Sequence, residues 1–473
     1  MNGGWVIPIS WDIFGPAIVM SGGALLALVV DLLTTKRSFA LSWVAMLAGS
    51  VAALVLDLRS AGLPVGFDGI ILIGTILIVL ASAVLHAENA MPPGEFQFLL
   101  GSAAAGGLVI VGAEDLITLI VGLELLTLPS IALVGLRQGD RRAIGSAWTF
   151  FLASVVATAI TLMGIAMVYG LAGTLQYGEL GATAGSGARA AFAVGLVLTL
   201  IGFLFKIGTV PFHSWVPDAY RGASPVVAAF LSSVSKAATV GALLLLLYAG
   251  FPSEVSAIWL PIIAVVAVVS MTAGNVGALR QRDGVALLAW SSIAQAGFIL
   301  APALAGEALP AMNAAAQYLA VYALANIVGF LALAVVSKVR GSTSFDDLSG
   351  LARTDPWVGV PLAFAVLVLA GFPPAVIGLV AKYVVFVPVV SGGWTWVAVI
   401  MAVNVMIGLA YYLRFVATLF APAEPTGFRS IGGSAGVRVA TCVVLAGALA
   451  LLAASVWPSA VLDFVVPVAI DYN

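Results

Sequence analysis

Long apolar segments recur along the whole chain and alternate with short polar loops. Each has about 17 or more mostly apolar residues, which is the length that an α-helix needs to cross a bilayer. Fourteen such segments can be marked, at roughly 13–34, 40–57, 67–87, 97–113, 115–136, 143–170, 190–210, 224–249, 255–275, 284–304, 313–336, 357–388, 394–420 and 436–458. The pattern predicts an all-α polytopic membrane protein with about 14 transmembrane helices.

The composition agrees with this fold class, since 62% of the residues are hydrophobic and only 8% are charged. A soluble protein of 473 residues could not bury so much apolar surface. The longest loops, near 171–189 and 337–356, are too short to hold a nucleotide-binding or redox domain. Any primary redox chemistry linked to this protein is therefore expected in another chain.

A few residue types exclude further classes. Acidic Asp12 precedes the first segment and a basic stretch is missing there, so a signal peptide is not expected. The single cysteine, Cys442, rules out an internal disulfide, and two histidines, His86 and His213, are too few for a multi-histidine metal site. The net charge of −2 and the lack of a basic cluster do not suggest nucleic acid binding. We expect no cofactor and no metal in this chain.

The basic residues predict an orientation. Numbered from the N-terminus, the odd loops and their adjoining helix ends carry fourteen of the 19 lysines and arginines. They are Lys36, Arg37, Arg137, Arg141, Arg142, Arg221, Arg280, Arg282, Lys338, Arg340, Arg353, Arg414, Arg429 and Arg438. The even loops carry only Arg59 and Arg189. Because cytoplasmic loops are enriched in lysine and arginine, the odd loops are predicted to be cytoplasmic and both termini to face outward.

Four charged residues lie inside the apolar segments: Glu124, Lys206, Lys236 and Lys382. A charge at the centre of a membrane helix costs about 2.5–3.5 kcal/mol on insertion scales, so these positions point to ion or proton movement. Each lysine lies near proline or glycine, and such breaks are tolerated where they line a polar cavity or are buried in protein. We therefore predict broken helices at Lys206 and Lys382 and an irregular helix at Lys236.

Lysine and glutamate suit proton transport because burial disfavours the charged form of each, whereas a neighbouring opposite charge favours it. The hydroxyls of Ser232, Ser233, Ser235 and Thr239 are close to Lys236 in sequence and are predicted to hold water.

Structural roles are the alternatives for the charged residues. Glu124 would then only bond neighbouring helices, Lys206 would extend its ammonium toward the cytoplasmic surface, and His213 would brace a helix end.

Two parts of the chain share a plan, with a proline-broken segment at "KIGTVPFHSWVP" and another at "GFPPAVIGLVAK". Paired broken helices are typical of transporters built from inverted repeats. The predicted organisation is an N-terminal three-helix segment (1–96), a first five-helix repeat (97–249), a second five-helix repeat (250–420) and a C-terminal helix (421–473).

Four stretches resemble the antiporter-like membrane subunits of respiratory complex I, and subunit N of the bacterial enzyme in particular. They are "DLITLIVGLELLTLPSIALVGL", "FKIGTVPFHSWVPDAYRGASPVVAAFLSSVSKAA", "LLAWSSIAQAGF" and "LAGFPPAVIGLVAKYVVF". The resemblance implies a proton-translocating subunit in a bacterial inner membrane, beside M-, K- and J-type subunits. It also implies that NADH, FMN, iron–sulfur clusters and quinone are used by other subunits.

Residue roles follow from the same resemblance. The family pairs a glutamate at the place of Glu124 with a lysine at the place of Lys206. The lysine at the place of Lys236 passes protons along the central axis, and the one at the place of Lys382 serves the exit side. His213 matches a family histidine near the broken helix, and Ser235 and Gln295 are expected to assist.

The chain departs from the family pattern at two positions. Trp148 stands where the sixth span often has a lysine, and Gln295 stands where a histidine is usual. Gln295 can bind water but cannot titrate.

Two other functions remain open. The D-type chain of a multi-subunit sodium/proton antiporter is similar, and a structural subunit with impaired pumping would fit the departures at Trp148 and Gln295. Neighbouring genes would separate the first alternative from complex I, since redox subunits would accompany only the latter.

Overall fold

The protein is almost wholly helical in the part that the structure describes. The structure is a computed structural model that describes residues 11–34, 39–60, 66–87, 91–180, 189–251, 255–422 and 433–465. Within these ranges it contains no extended strand, only two isolated β-bridges. In these described parts, thirteen helices are long and apolar enough to cross a membrane, or fourteen if the bent pair Phe345–Thr354 and Pro356–Ala370 counts as one span, which agrees with the predicted number of about 14. The side chain of His86 lies outside the described parts.

The helices before the centre of the chain are α1 (Trp11–Leu33), α2 (Phe39–Ser60), α3 (Phe67–Ala81), α4 (Pro93–Val111), α5 (Leu116–Gly135), α6 (Arg141–Ala172), α7 (Arg189–Ile207), α8 (Trp215–Gly222), α9 (Pro225–Ser232) and α10 (Val234–Leu245). The later helices are α11 (Ser256–Leu279), α12 (Gly284–Leu300), α13 (Ala308–Arg340), α14 (Phe345–Leu348), α15 (Leu351–Thr354), α16 (Pro356–Ala370), α17 (Val376–Ser391), α18 (Thr395–Leu419), α19 (Ala435–Val456) and α20 (Pro458–Phe464).

Three spans form the centre of the helix bundle. The spans 225–250 and 284–305 are 94% buried over their most apolar stretches, and 308–340 is 89% buried. By contrast, α2 and α6 are only 33% buried and present apolar side chains to their surroundings. Two of the three central spans, α9–α10 and α12, carry Lys236 and Gln295, so the core of the bundle holds polar groups.

The predicted helix breaks are confirmed. Helix α7 ends at Ile207, just after Lys206, and α16 ends at Ala370, before Lys382. Each break has a glycine with positive φ, at Gly208 (80°) and Gly371 (72°). Each also has a cis X–Pro bond, before Pro211 and before Pro374. Glycine tolerates this left-handed conformation because it lacks a Cβ.

The span holding Lys236 is irregular, also as predicted. Helix α9 ends at Ser232 and α10 begins at Val234, and Ser233 between them has φ −114° and ψ −77°. The predicted span 357–388 is two short helices, α16 and α17, instead of one long helix.

Two loops far apart in sequence are built alike. Asp115 accepts hydrogen bonds from backbone N–H groups at the start of α5, and Asp283 does the same for α12. Each aspartate also forms an isolated antiparallel bridge, Asp115 with Gln176 and Asp283 with Ser344. The beginning of α5 is thereby joined to the loop that follows α6, and the beginning of α12 is joined to the loop that follows α13.

The loop after α13 is a folded segment, although the sequence pattern marks only a polar loop. The Arg340 guanidinium lies 2.9 Å from the Asp355 carboxylate, and both side chains are almost completely buried. The same arginine donates to the Asp347 carbonyl at 2.5 Å. Hydrogen bonds from Ser344 and Ser342, together with the Arg340 charge, hold the pKa of Asp347 below its usual value.

Candidate functional site

Lys206 is buried at the end of α7, with 2% of its surface exposed. Its Nζ atom lies 5.3 Å from the centre of the Phe150 ring and has no hydrogen-bond partner in the described part of the chain. The Phe150 ring stacks on Trp215 at 4.1 Å, and Trp215 Nε1 donates to the Phe205 carbonyl at 2.9 Å. An aromatic wall therefore holds the Lys206 side chain inside the bundle.

Glu124 lies on α5 and is half-buried. Its Oε1 atom accepts a hydrogen bond from the Thr158 hydroxyl on α6 at 2.6 Å. No contact ion pair joins the carboxylate to the Lys206 ammonium in the described structure. In this conformation the Glu124 carboxylate is hydrogen-bonded to Thr158.

Lys236 bridges two main-chain positions. Its Nζ donates to the Ile207 carbonyl at 2.6 Å and to the Ser292 carbonyl at 2.9 Å. Ile207 is the last residue of α7, where the helix break leaves carbonyl groups without an N–H partner. The ammonium satisfies such a carbonyl and ties the break to α12.

The hydroxyls near Lys236 in sequence donate hydrogen bonds within their own span. Ser232 and Ser233 both donate to the Ala229 carbonyl, and Thr239 donates to the Ser235 carbonyl. The two serine bonds lie beside the irregular turn between α9 and α10, and the threonine bond lies within α10. Ser235 is buried beside Lys236 in the chain, and the lysine takes main-chain carbonyls as its partners.

Lys382 repeats the arrangement at the second break. Its Nζ donates to the Leu369 carbonyl at 2.7 Å and to the Ala370 carbonyl at 2.8 Å, at the end of α16. The Phe298 ring lies 5.9 Å from the same atom. Two lysines thus cap carbonyls at the two broken helices, because an ammonium group offers three donors and no acceptor.

Gln295 contacts the acceptor of Lys382. Its Nε2 atom donates to the Leu369 carbonyl at 3.3 Å and to the Tyr412 hydroxyl at 3.1 Å. The Tyr318 hydroxyl donates to Gln295 Oε1. The amide is therefore part of the polar core at the second break.

The sequence reasoning missed the tyrosines around this core. The Tyr412 and Ser291 hydroxyls lie 2.5 Å apart, and the Tyr322 hydroxyl donates to Ser292 Oγ at 3.0 Å. Tyr318 and Tyr322 are one turn apart on α13, with nearly parallel rings. The available signal was the spacing of two tyrosines in "QYLAVYAL", a segment that otherwise looks like an ordinary apolar span.

His213 and Trp148 are less buried than the three lysines. His213 is in the break between α7 and α8, and its Nδ1 atom is buried without a partner in the described structure. Its ring meets Trp290 edge-on at 5.8 Å. Trp148 is 62% exposed on α6, so this departure from the family pattern does not enter the buried core.

Sequence and structure comparisons identify the family. Residues 113–408 match the family described as NADH:quinone oxidoreductase/Mrp antiporter, TM. NADH-quinone oxidoreductase subunit N 2 of Streptomyces griseus is 40% identical over 447 residues, covering 88% of this chain and 84% of that protein. Subunit N of Salinispora tropica is 40% identical over 441 residues, covering 87% and 85%.

Two solved structures are similar to this chain over most of its length. A chain of respiratory complex I from Thermus thermophilus has a TM-score of 0.76 at 29% identity, covering 94% of this chain and 98% of that one. A chain of the Mrp complex from a Dietzia species has a TM-score of 0.82 at 22% identity, covering 96% of each, which shows a shared fold. The chain therefore belongs to the NADH:quinone oxidoreductase/Mrp antiporter family of membrane proteins and is similar over most of its length to subunit N of NADH-quinone oxidoreductase.

Proposed function

We propose that this chain is a proton-translocating membrane-arm subunit of a bacterial NADH:quinone oxidoreductase, with Glu124, Lys206, Lys236 and Lys382 as its proton-transfer residues. One observation carries the proposal: Lys236 and Lys382 are buried and each donates to a carbonyl at a helix break. Lys206 immediately precedes the carbonyl that Lys236 uses. Buried lysines of this kind mark ion and proton paths in membrane proteins.

The geometry allows charge to move in steps. A protonated Lys236 is held by two carbonyl acceptors, and a neutral amine would bind them more weakly. Deprotonation of Lys236 would therefore weaken the hydrogen bonds that join the end of α7, at Ile207, to Ser292 on α12. Because charges interact strongly in a low dielectric, a change at Glu124 would alter the protonation of Lys206, and that of Lys206 would alter the next lysine.

The complex would supply the redox chemistry from other chains. NADH, FMN, iron–sulfur clusters and quinone would bind there, and this subunit would contact M-, K- and J-type membrane subunits. The relatives named subunit N support this assignment. A bacterial inner membrane, as for the bacterial relatives named subunit N, completes the proposal. The distribution of arginine and lysine supports outward-facing termini.

The repeat boundaries belong to the same proposal. We assign residues 97–249 and 250–420 as two five-helix repeats, after an N-terminal segment of residues 1–96 and before a C-terminal helix in 421–473. The matching bridges of Asp115 and Asp283 support the equivalence of these two halves.

The test is proton transport by the assembled complex in vesicles. Lys236→Ala and Lys236→Arg should both impair proton movement coupled to NADH oxidation, because alanine removes the amine and arginine stays charged. Lys338→Ala, at the end of α13, is the matched control and should transport normally. Undiminished transport by Lys236→Arg would contradict a lysine relay.

A D-type subunit of a sodium/proton antiporter is the second candidate, favoured by the shared fold with the Mrp complex. A sodium ion prefers several oxygen ligands, and the charged ligands of this kind are carboxylates. Three of the four proposed residues here are lysines, which would repel the ion. Strict dependence of transport on sodium, with small antiporter subunits copurifying in mild detergent, would support this candidate instead. Normal transport in every lysine variant would indicate a structural subunit.

A further inference from the structure

Ser292 on α12 contacts both Lys236 and Tyr322. Its carbonyl accepts from Lys236 Nζ at 2.9 Å, and its hydroxyl oxygen accepts from the Tyr322 hydroxyl at 3.0 Å. All three side chains are buried. Ser292 therefore connects Tyr322 on α13 with Lys236 on α10, although these two helices are far apart in sequence.

Tyr322 also faces the second lysine. A small cavity of about 10 Å³ is lined by Tyr318, Tyr322, Leu369 and Lys382, among others. Such a volume holds about one water molecule when polar groups line it. Tyr322 thus donates a hydrogen bond to Ser292 and also lines a cavity that the Lys382 side chain lines.

Gln295 positions the other tyrosine of this cavity. It accepts from the Tyr318 hydroxyl and donates to the Leu369 carbonyl, which also accepts from Lys382. An amide cannot take up and release a proton at ordinary pH, whereas a hydroxyl can accept one proton and donate another without becoming ionised. A proton passing between the two lysines would therefore use the hydroxyls and not Gln295.

We propose that Tyr322 and Ser292 form a hydroxyl link that passes protons between Lys382 and Lys236, with Tyr318 and Gln295 as positioning residues. This proposal rests on the proposed function and names the connection within it. It also gives a role to Tyr318 and Tyr322, which are not among the four charged proton-transfer residues.

The transfer balances at every atom. An N–H bond of the Lys382 ammonium breaks and its proton goes to a water in the cavity, which gives another proton to the Tyr322 oxygen. Tyr322 gives its own hydroxyl proton to Ser292 Oγ. Ser292 gives its hydroxyl proton to the neutral amine of Lys236 once that amine turns from the Ser292 carbonyl to the Ser292 hydroxyl oxygen. Each oxygen ends with as many protons as it began with, and one positive charge moves from Lys382 to Lys236.

The experiment compares four variants of the assembled complex in vesicles: Tyr322→Phe, Ser292→Ala, the double variant, and Tyr248→Phe as control. Like Tyr322, Tyr248 donates a hydrogen bond through its hydroxyl, in this case to the Ala303 carbonyl, but it lies outside the link. Loss of either hydroxyl should slow proton-coupled NADH oxidation about tenfold, which corresponds to a barrier raised by about 1.4 kcal/mol. The double variant should be no slower than either single one, because both act on the same step.

Two further measurements separate a proton link from a packing role. The rate should become more sensitive to replacement of H₂O by D₂O in Tyr322→Phe, because proton transfer is then the slow step. Replacing Tyr322 by 3,5-difluorotyrosine, which keeps the hydroxyl, should restore the rate. If Tyr322→Phe fails to assemble, Ser292→Ala, which lacks one hydroxyl of the link, is compared with the difluorotyrosine variant, which keeps both.

The outcomes distinguish the two proposals. Normal rates and isotope effects in Tyr322→Phe and Ser292→Ala, alongside slow Lys236→Ala and Lys382→Ala variants, would overturn the hydroxyl link alone. Normal transport in the two lysine variants would overturn the proposed function as well.

Discussion

Lys236 donates a hydrogen bond to the carbonyl of Ile207, the residue at which α7 ends, across 2.6 Å. The contact joins a charge on one span to the broken end of another. Lys382 makes the corresponding contact with the end of α16. Because an unsatisfied carbonyl inside a membrane is costly, each lysine stabilises its helix break when it is protonated. Protonation and helix geometry are therefore coupled at both breaks.

Replacing Gly371 by alanine is expected to disturb Lys382. An added Cβ would lie 3.0 Å from Lys382 Cδ and 3.3 Å from Nζ, and the residue has φ +72°. Gly393→Ala is the matched control, since it has φ +83° but nothing within 4 Å of its Cβ. Both should cost about 1–2 kcal/mol of backbone strain. Only Gly371→Ala should reduce proton transport in vesicles, and equal transport by the two variants would contradict a role for the lysine position.

Lys206→Met should separate assembly from transport. The Lys206 ammonium is buried without a hydrogen-bond partner in the described structure, so an apolar side chain of similar length removes an unfavourable desolvation. We expect assembly and thermal stability at least equal to those of the wild type, with reduced NADH-coupled proton movement. Full transport by an assembled Lys206→Met complex would remove Lys206 from the path.

Thr158→Val tests what holds Glu124. The change removes the hydroxyl that donates to the Glu124 carboxylate at 2.6 Å. The loss of one hydrogen bond to a charged group should cost about 1.5–3 kcal/mol, and NADH-coupled proton transport in vesicles should slow. Thr149→Val is the control, because its hydroxyl bonds only to the Gly145 carbonyl of its own helix. Equal transport by the two variants would show that Thr158 does not act on Glu124.

Arg340→Met should destabilise the folded loop after α13. It removes the 2.9 Å contact with the buried Asp355 carboxylate, and breaking such a pair costs about 3–5 kcal/mol. A lower thermal denaturation temperature in detergent is the expected result. Adding Asp355→Leu should recover much of the loss, since the second change also removes the buried carboxylate. An unchanged denaturation temperature in Arg340→Met would indicate that the pair contributes little.

Cysteine labelling tests the orientation. In a Cys442→Ser background, a cysteine placed at Gly178 should react with an impermeant reagent added from outside, whereas one placed at Gln138 should not. Both positions are exposed, and a Cβ at Gly178 meets nothing within 4 Å. The expectation follows from the distribution of basic residues between the loops. The reverse labelling pattern would invert the proposed topology.

Much of the architecture follows from the order of residues alone. Span positions depend on runs of apolar residues, and the breaks at Gly208–Pro211 and Gly371–Pro374 depend on local backbone preferences that proline and glycine impose wherever they occur. The four charges likewise stand out because they interrupt apolar runs. These features are local in sequence, so a single chain is enough to predict them.

The partners of those charges depend on how the helices pack. Lys236 donates to the main-chain carbonyls of Ile207 and Ser292. Because every peptide unit has a carbonyl, the residue type at a position does not indicate such an acceptor. The hydroxyls beside Lys236 in sequence bond their own span instead, and Glu124 takes Thr158 as its hydrogen-bond partner. Tyr318 and Tyr322 enter the core only because α13 is surrounded by other helices. Contacts between distant segments are decided by helix packing, and a linear pattern does not contain that information.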